Sequence, residues 1–285
     1  MNKVAILTDS CSYIDDQEAQ ALDISVVPLK VTLGDKTFAD GDPEVTERYF
    51  QYQEEDIEPL IVSAPSVQAF EKAYAQLHKK TDQILALHVS GKLSDTLKQS
   101  KAGAETLLGR CTIETLDTNS ILSGQGILVR AAAKAANEGA SMDEIIRLIR
   151  GLIPRIYTVL YVETMEYLER SNTVGKAQAI LGAMMGIKPM LFMEDGAVTP
   201  MEKVKTKERA IDKLLEFVSE FDAIEQTTIF QRSLQKTSET ILLLERLEQL
   251  FPGKSFPVLQ YNPLLASYVG PEAMGVIVYE GESFF

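Results

Sequence analysis

Histidine and cysteine are scarce in this 285-residue chain, which holds two of each: His78, His88, Cys11 and Cys111. Two cysteines exclude a disulfide-stapled scaffold. Neither histidine stands at a metal-ligand spacing from a cysteine or from the other, which excludes the common zinc patterns. His78 reads as a surface residue near the end of a helix, and His88 as a structural residue closing the apolar run Ile84-Leu85-Ala86-Leu87. The phosphate-cradling Gly-x-x-x-x-Gly-Lys-Ser/Thr loop is missing, and so is a Gly-x-Ser-x-Gly nucleophile elbow. The nearest approach to a dinucleotide fingerprint is Gly124-Gln125-Gly126, but Val129 occupies its third glycine position, so those small residues read as helix packing. No apolar run nears the roughly 18 residues of a membrane span. Met1-Asn2-Lys3 runs directly into Val4-Ala5-Ile6-Leu7 without a signal region, so a cytoplasmic protein with no membrane insertion is expected. Positive charge is also short: 28 Lys+Arg against 41 Asp+Glu give a net charge of −13, a field that repels nucleic acid and anionic lipid surfaces.

What remains is an ordinary globular composition, 45% hydrophobic and 24% charged, with a mean hydropathy of −0.02. In the first half, apolar strand-like runs at 4–8, 26–33, 84–89 and 112–116 alternate with helical periodicity at 67–77, 93–108 and 121–137. That β-α rhythm predicts a parallel sheet flanked by helices. Ser66 is the expected N-cap of the 67–77 helix, and Gly139 ends the last one. The second half mixes strands at 157–162, 187–193, 197–201, 227–231, 256–260 and 275–279 with helices at 177–185, 206–221 and 238–250. Glu194-Asp195-Gly196 is a strong hairpin signal. The fold class is α/β, with domains over 1–153 and 154–285.

Three predicted strand ends carry hydroxyls: Thr8-Asp9-Ser10, Ser63-Ala64-Pro65-Ser66 and Ser90-Gly91-Lys92-Leu93-Ser94-Asp95-Thr96. Each precedes a predicted helix, whose free N–H groups and dipole favour an anion. Hydroxyl and N–H donors together suit a carboxylate without a buried cation. Met184, Met185, Met190 and Met193 suit an adaptable apolar pocket. Lys203, Lys205, Lys207 and Arg209 form the one dense basic patch.

Taken in order, these segments resemble the DegV family of bacterial fatty-acid-binding proteins, nearly end to end. The resemblance rests on Thr8-Asp9-Ser10, Ser63-Ala64-Pro65-Ser66, Lys92-Leu93-Ser94-Asp95-Thr96, Asp117-Thr118, Gly182 with Lys188-Pro189, Glu194-Asp195-Gly196, Lys203-Val204-Lys205-Thr206 and Gly270-Pro271. It implies the two-domain DegV-like (EDD) fold, an N-terminal parallel sheet flanked by helices plus a C-terminal mixed α/β domain, with a ligand cleft between them. It further implies a non-enzymatic carrier of one long-chain fatty acid, with no cofactor beyond that ligand. Some members present the fatty acid to a separate fatty-acid kinase. By this resemblance Ser63 and Ser94 bind the carboxylate, with Thr96 and Tyr268 as further donors and Val62 beside them. Met184, Met185 and Ile187 line the acyl pocket, and Lys203 and Lys205 meet the partner. The family pattern departs here at Val62 (threonine elsewhere), Asp95 (glycine), Asn172-Thr173 (Gly-Arg), Tyr268 (histidine) and Lys205 (arginine). Val62 and Asp95 favour an alternative ligand, a neutral lipid or alcohol in the same pocket. A small hydrolase or transferase using Asp9, Ser94 or Asp117 is a third reading.

Overall fold

The computed structural model describes residues 3–42, 44–45, 48–49, 60–164, 166–170 and 187–281. Its strands are β1 (Ala5–Asp9), β2 (Ile24–Val27), β3 (Lys30–Leu33), β4 (Lys36–Ala39), β5 (Ile61–Ser63), β6 (Gln83–His88), β7 (Thr112–Asp117), β8 (Ile156–Val162), β9 (Lys188–Glu194), β10 (Ala197–Val204), β11 (Ile224–Gln231), β12 (Val258–Gln260) and β13 (Ala273–Glu280). The helices are α1 (Asp16–Leu22), α2 (Val67–His78), α3 (Thr96–Ala104), α4 (Ser123–Asn137), α5 (Met142–Leu152), α6 (Glu166–Arg170), α7 (Lys207–Ser219), α8 (Ser238–Leu250) and α9 (Pro263–Val269). Contacts divide the chain into two compact units, with the main break between Pro154 and Arg155.

The first unit is built on an all-parallel sheet in the order β2-β1-β6-β7. Its two central strands, β1 and β6, are near-continuous buried runs because helices cover both faces. On one face Leu7, Val27, Ile84 and Ala86 pack with Phe70, Tyr74 and Leu77 of α2. On the other, α4 lies along β1 and β6 and is backed by α5. The strand order reverses between β1 and β6, and the carboxyl ends of those two strands border the crevice where such sheets bind ligands.

Two local expectations are corrected. The 26–33 run is not one strand. Pro28 has no N–H to donate to a ladder, so β2 ends at Val27, and β3 joins a separate antiparallel sheet in the order β4-β3-β5. The 93–108 helix is shorter, with α3 starting at Thr96 and a 3-10 turn following at Glu105–Leu107. Helices α5, α6 and α9 and strand β4 lie where no element was expected. For α5 the cause is a full capping box: Ser141 Oγ accepts the Glu144 N–H while the Glu144 carboxylate accepts the Ser141 N–H (2.8 Å).

The second unit carries a six-stranded mixed sheet in the order β10-β9-β8-β13-β11-β12, in which only β11 and β12 pair in parallel. Helices α7 and α8 cover one face through Ile211, Leu214, Leu243 and Leu247, packed on Val159, Met190, Ile229 and Val276. The β9–β10 hairpin turns on Asp195 (φ 47°) and Gly196 (φ 80°), the doubly left-handed pair of a type I′ turn, where glycine carries no β-carbon penalty. The helix expected at 177–185 lies outside the described residues.

Candidate functional site

At the crevice of the first unit, Asp9 and His88 end adjacent strands, and neither exposes any surface. Asp9 accepts four hydrogen bonds. Oδ1 takes the Cys11 N–H (3.0 Å) and Gln125 Nε2–H (3.1 Å); Oδ2 takes the Val89 N–H (3.0 Å) and His88 Nδ1–H (2.9 Å). A carboxylate has nothing to donate, so the proton between these two side chains resides on Nδ1. His88 Nε2 pairs with Ser100 Oγ of α3 (2.7 Å), which in turn pairs with the Tyr74 hydroxyl of α2 (2.6 Å). Burial pushes the Tyr74 phenol up to about 12 against the Ser100 hydrogen bond, which keeps it a donor. The protons therefore run one way, from Tyr74 to Ser100 to His88 to Asp9. Phe70 closes the line, its ring edge-on to His88 at 5.2 Å.

These contacts correct the reading of Thr8-Asp9-Ser10 as ligand donors. Thr8 Oγ1 donates to the Leu87 carbonyl (2.9 Å), Ser10 Oγ donates to Asp40, and Asp9 is enclosed. Ser66 accepts the Ala69 N–H (3.3 Å) as the expected N-cap.

The loop after β6 is the segment that faces outward. Its backbone donors are nearly all committed internally. Val89 N–H goes to Asp9, Ser90 N–H to the Ser120 carbonyl, Gly91 N–H to Asp117 Oδ2 (3.0 Å), Lys92 N–H to Ser90 Oγ, and Leu93 and Ser94 N–H to the Ser90 carbonyl. What is left begins at α3. Its N-cap, Asp95, is exposed and makes no side-chain capping bond, so the Leu97 and Lys98 N–H groups of the first turn await an acceptor. Beside them, Ser94 Oγ lies 2.7 Å from Thr96 Oγ1 and accepts the Thr96 N–H (3.3 Å). Thr96 is fully buried, so its hydroxyl proton goes to Ser94. The half-buried Ser94 then carries the one hydroxyl proton of the pair left for a ligand.

Ser63 and Val62 lie on β5, exposed and half-buried respectively, and Ser63 makes no hydrogen bond to Ser94. The sheet they belong to is tied to β1 at one node. The Leu29 N–H donates to Ser10 Oγ (3.1 Å), Ser10 Oγ–H donates to Asp40 Oδ2 (2.7 Å), and the Asp40 N–H donates to the Leu29 carbonyl (2.8 Å). Burial pushes the Asp40 carboxyl up to about 6; the Ser10 hydrogen bond opposes the shift and the Asp9 carboxylate adds to it. The folded state thus holds this proton more tightly than the unfolded chain does, and the stability Asp40 contributes is lost as pH rises from 4 through 6. Asp40→Asn, which keeps an acceptor for Ser10, is expected to gain about 1–2 kcal/mol at pH 8, after discounting for partial exposure, and nothing at pH 4. Denaturant midpoints across that range check it, and a pH-independent difference refutes it.

In the second unit, Tyr268 sits half-buried on α9 and Ile187 half-buried just before β9. Met184 and Met185, like Asn172, Thr173 and Gly182, lie outside the described residues. Lys203 and Lys205 are exposed, and Lys205 borders a cavity of about 470 Å³ with Lys188, Thr206, Lys207, Ser238 and Glu239. The basic patch is largely neutralised. Lys207 Nζ is ringed by Glu163 (3.2 Å), Glu239 (3.4 Å) and Glu272 (3.8 Å), and Arg209 pairs with Asp212 (3.2 Å). Burial alone would lower the Lys207 pKa, but the carboxylates outweigh it and hold it above the usual lysine value. Lys205 forms no ion pair among the described residues.

The sheet face away from α7 and α8 is apolar too. Leu191, Leu160, Gly275 and Phe230 form a row across β9, β8, β13 and β11, all but Gly275 contributing a buried side chain.

Comparison with known proteins places these features in a family. The model of the DegV family, described as uncharacterised protein, matches residues 3–281. A DegV domain-containing protein of Streptomyces coelicolor is 29% identical over 277 residues, covering 96% of this chain and 98% of its own. Another, from Caldanaerobacter subterraneus, is 32% identical over 218 residues, 76% of this chain and 77% of its own. Among solved structures, a DegV family protein from Thermus thermophilus, described for its fatty acid binding, superposes with a TM-score of 0.85 at 26% identity, covering 98% of this chain and 100% of that one. A fatty acid binding DegV family protein from Streptococcus agalactiae shares the fold with a TM-score of 0.88 at 23% identity, over 99% and 100% of the two chains.

Proposed function

The chain belongs to the DegV family, and from that premise we propose that it binds a long-chain fatty acid through the Ser94–Thr96 end of α3. The observation that carries this reading is the spare Ser94 proton beside an uncapped helix start: hydroxyl and N–H donors side by side, matched to a carboxylate. The description of the Thermus thermophilus relative supports the same ligand class. Each buried methylene of an acyl chain adds about 0.8 kcal/mol, so the tail supplies most of the affinity and the head group supplies selectivity. Ser63 and Tyr268 are further head-group donors, and Ile187, Met184 and Met185 belong to the tail. Lys203 and Lys205 form the face toward a fatty-acid kinase, a reading supported by the exposure of Lys205 at a cavity mouth.

Ser94→Ala is expected to weaken palmitate about 10-fold, or about 1.4 kcal/mol, while hexadecanol binding is unchanged. Competitive titration of the two ligands is the measurement. Equal losses would move the head group elsewhere, and a wild-type protein preferring the alcohol would establish the neutral-amphiphile alternative that the exposed Asp95 favours.

The Asp9–His88–Ser100 line has the order of a hydrolase triad, which gives the enzymatic reading its one structural argument. Ser100 exposes no surface and already engages both His88 and Tyr74, so no substrate atom reaches it. We therefore read the protein as a carrier, with the line as part of its frame.

A further inference from the structure

We propose that the buried line Asp9–His88–Ser100 is the positioning device of the head-group site. It acts at a distance by fixing where α3 begins. This rests on the reading of Ser94 as the carboxylate donor.

Ser94 and Thr96 are held by each other and by the start of α3, and Asp95 lends that start no capping bond. Four residues after Thr96 along the helix, on the same buried face, comes Ser100. His88 binds Ser100 through one ring nitrogen and Asp9 through the other, and Asp9 also grips the Val89 N–H at the root of the loop. One carboxylate thereby sets both ends of the 89–96 segment, the strand end directly and the helix through a histidine. Tyr74 donates to Ser100 from outside this circuit, so the His88–Ser100 bond does not need it. The line ties β1 and β6, already in register through their backbone ladder, to α3, a helix that otherwise packs against β6 and β7. Apolar contacts resist separation but resist sliding poorly, because they have no preferred direction. The hydrogen bonds supply the register of α3. Asp9, His88 and Ser100 are thus positioning residues: they touch no ligand, and their effect passes through Ser94.

Two variants test this. Tyr74→Phe removes the outer hydroxyl alone, and Ser100→Ala added to it removes the tie while leaving the helix and its packing. Hydrogen exchange on the ligand-free protein reads the register directly. With Ser100→Ala placed in the Tyr74→Phe background, so that no buried phenol is orphaned, the amides of α3 from Gln99 onward are expected to exchange at least about 10-fold faster while α2 is unchanged; in Tyr74→Phe alone both helices behave as in the wild type. Competitive titration then gives the palmitate-to-hexadecanol affinity ratio, expected to fall about 10-fold in the double variant and to hold in Tyr74→Phe. A general loss of stability would weaken both ligands together and leave that ratio alone. Unchanged α3 exchange in the double variant overturns the proposal whatever the ligand proves to be. Faster exchange with an unchanged ratio overturns the link to the head group. A wild-type protein without preference for the acid overturns the carboxylate reading itself, and the exchange result still decides whether the line sets the helix.

Discussion

Asp9→Ala is expected to cost about 4 kcal/mol or more and to unfold the first unit ahead of the second. Four donors lose their acceptor at once: two backbone N–H groups, a glutamine amide and a histidine ring, all in a region closed to water. A buried donor left unsatisfied costs about 1–3 kcal/mol, and the four are not additive because the loop relaxes around them. A loss of that size consumes much of the net stability of about 5–15 kcal/mol usual for a domain. Asp9→Asn separates charge from shape. The amide keeps one acceptor oxygen but turns an NH2 toward donors that previously met an oxygen, so roughly half the loss is expected to remain. Differential scanning calorimetry is the measurement, with a low-temperature transition splitting from the main one in Asp9→Ala. A variant within about 1 kcal/mol of wild type would mean that the four donors find other acceptors.

Gly275→Ala is expected to destabilise the second unit by about 3 kcal/mol. A β-carbon there would stand 2.5 Å from Phe230 Cζ and 2.6 Å from Leu160 Cβ, and would press on the Val159 carbonyl oxygen. Overpacking a closed core typically costs about 1–3 kcal/mol, and here the neighbours have little room to yield. Phe230 is held edge-on against Tyr261, 6.4 Å between centroids. The Tyr261 hydroxyl donates to the Gly270 carbonyl (2.8 Å) and accepts the Ala273 N–H (3.3 Å), so the ring that backs Phe230 is itself anchored. Adding Phe230→Leu to Gly275→Ala is expected to recover part of the loss but not all, since the Val159 carbonyl belongs to the backbone. Full recovery in a double-mutant cycle would show that the aromatic ring alone makes the glycine necessary.

Legibility in the sequence followed the range of the interaction. Features decided within a few residues could be read: the Ser66 cap, the Asp195-Gly196 hairpin, the parallel rhythm of the first half, and the crevice at the ends of β1 and β6. The break at Pro28 was also local, but the apolar run on either side disguised it. Ser141 and Glu144 spell a capping box in plain order, so α5 is legible in the sequence although no element is expected there. The hydrogen-bonded line could not be read at all. His88 meets Asp9 across 79 residues, and Ser100 counts as a partner only once α3 is laid on β6. The same holds for Ser10 and Asp40, whose bond changes a serine that looked like a ligand donor into a strap between two sheets. Ser94 was read from motif, and the structure supplies the reason its proton is spare.

The position of β1 in its sheet also carries a consequence for biosynthesis. Residue for residue, Leu7 lies beside Ala86 and Thr8 beside Leu87, so the first strand made by the ribosome pairs on one side with a strand made 79 residues later. At synthesis rates of about 5–20 residues per second, β1 waits roughly 4–16 s for that neighbour. Over that interval it has only β2 to pair with, and Asp9 lacks the histidine that will share its proton. Until β6 emerges the parallel sheet of the first unit cannot close, because a two-stranded pair alone is marginal in water, and the apolar edge of β1 stays without the neighbour that covers it.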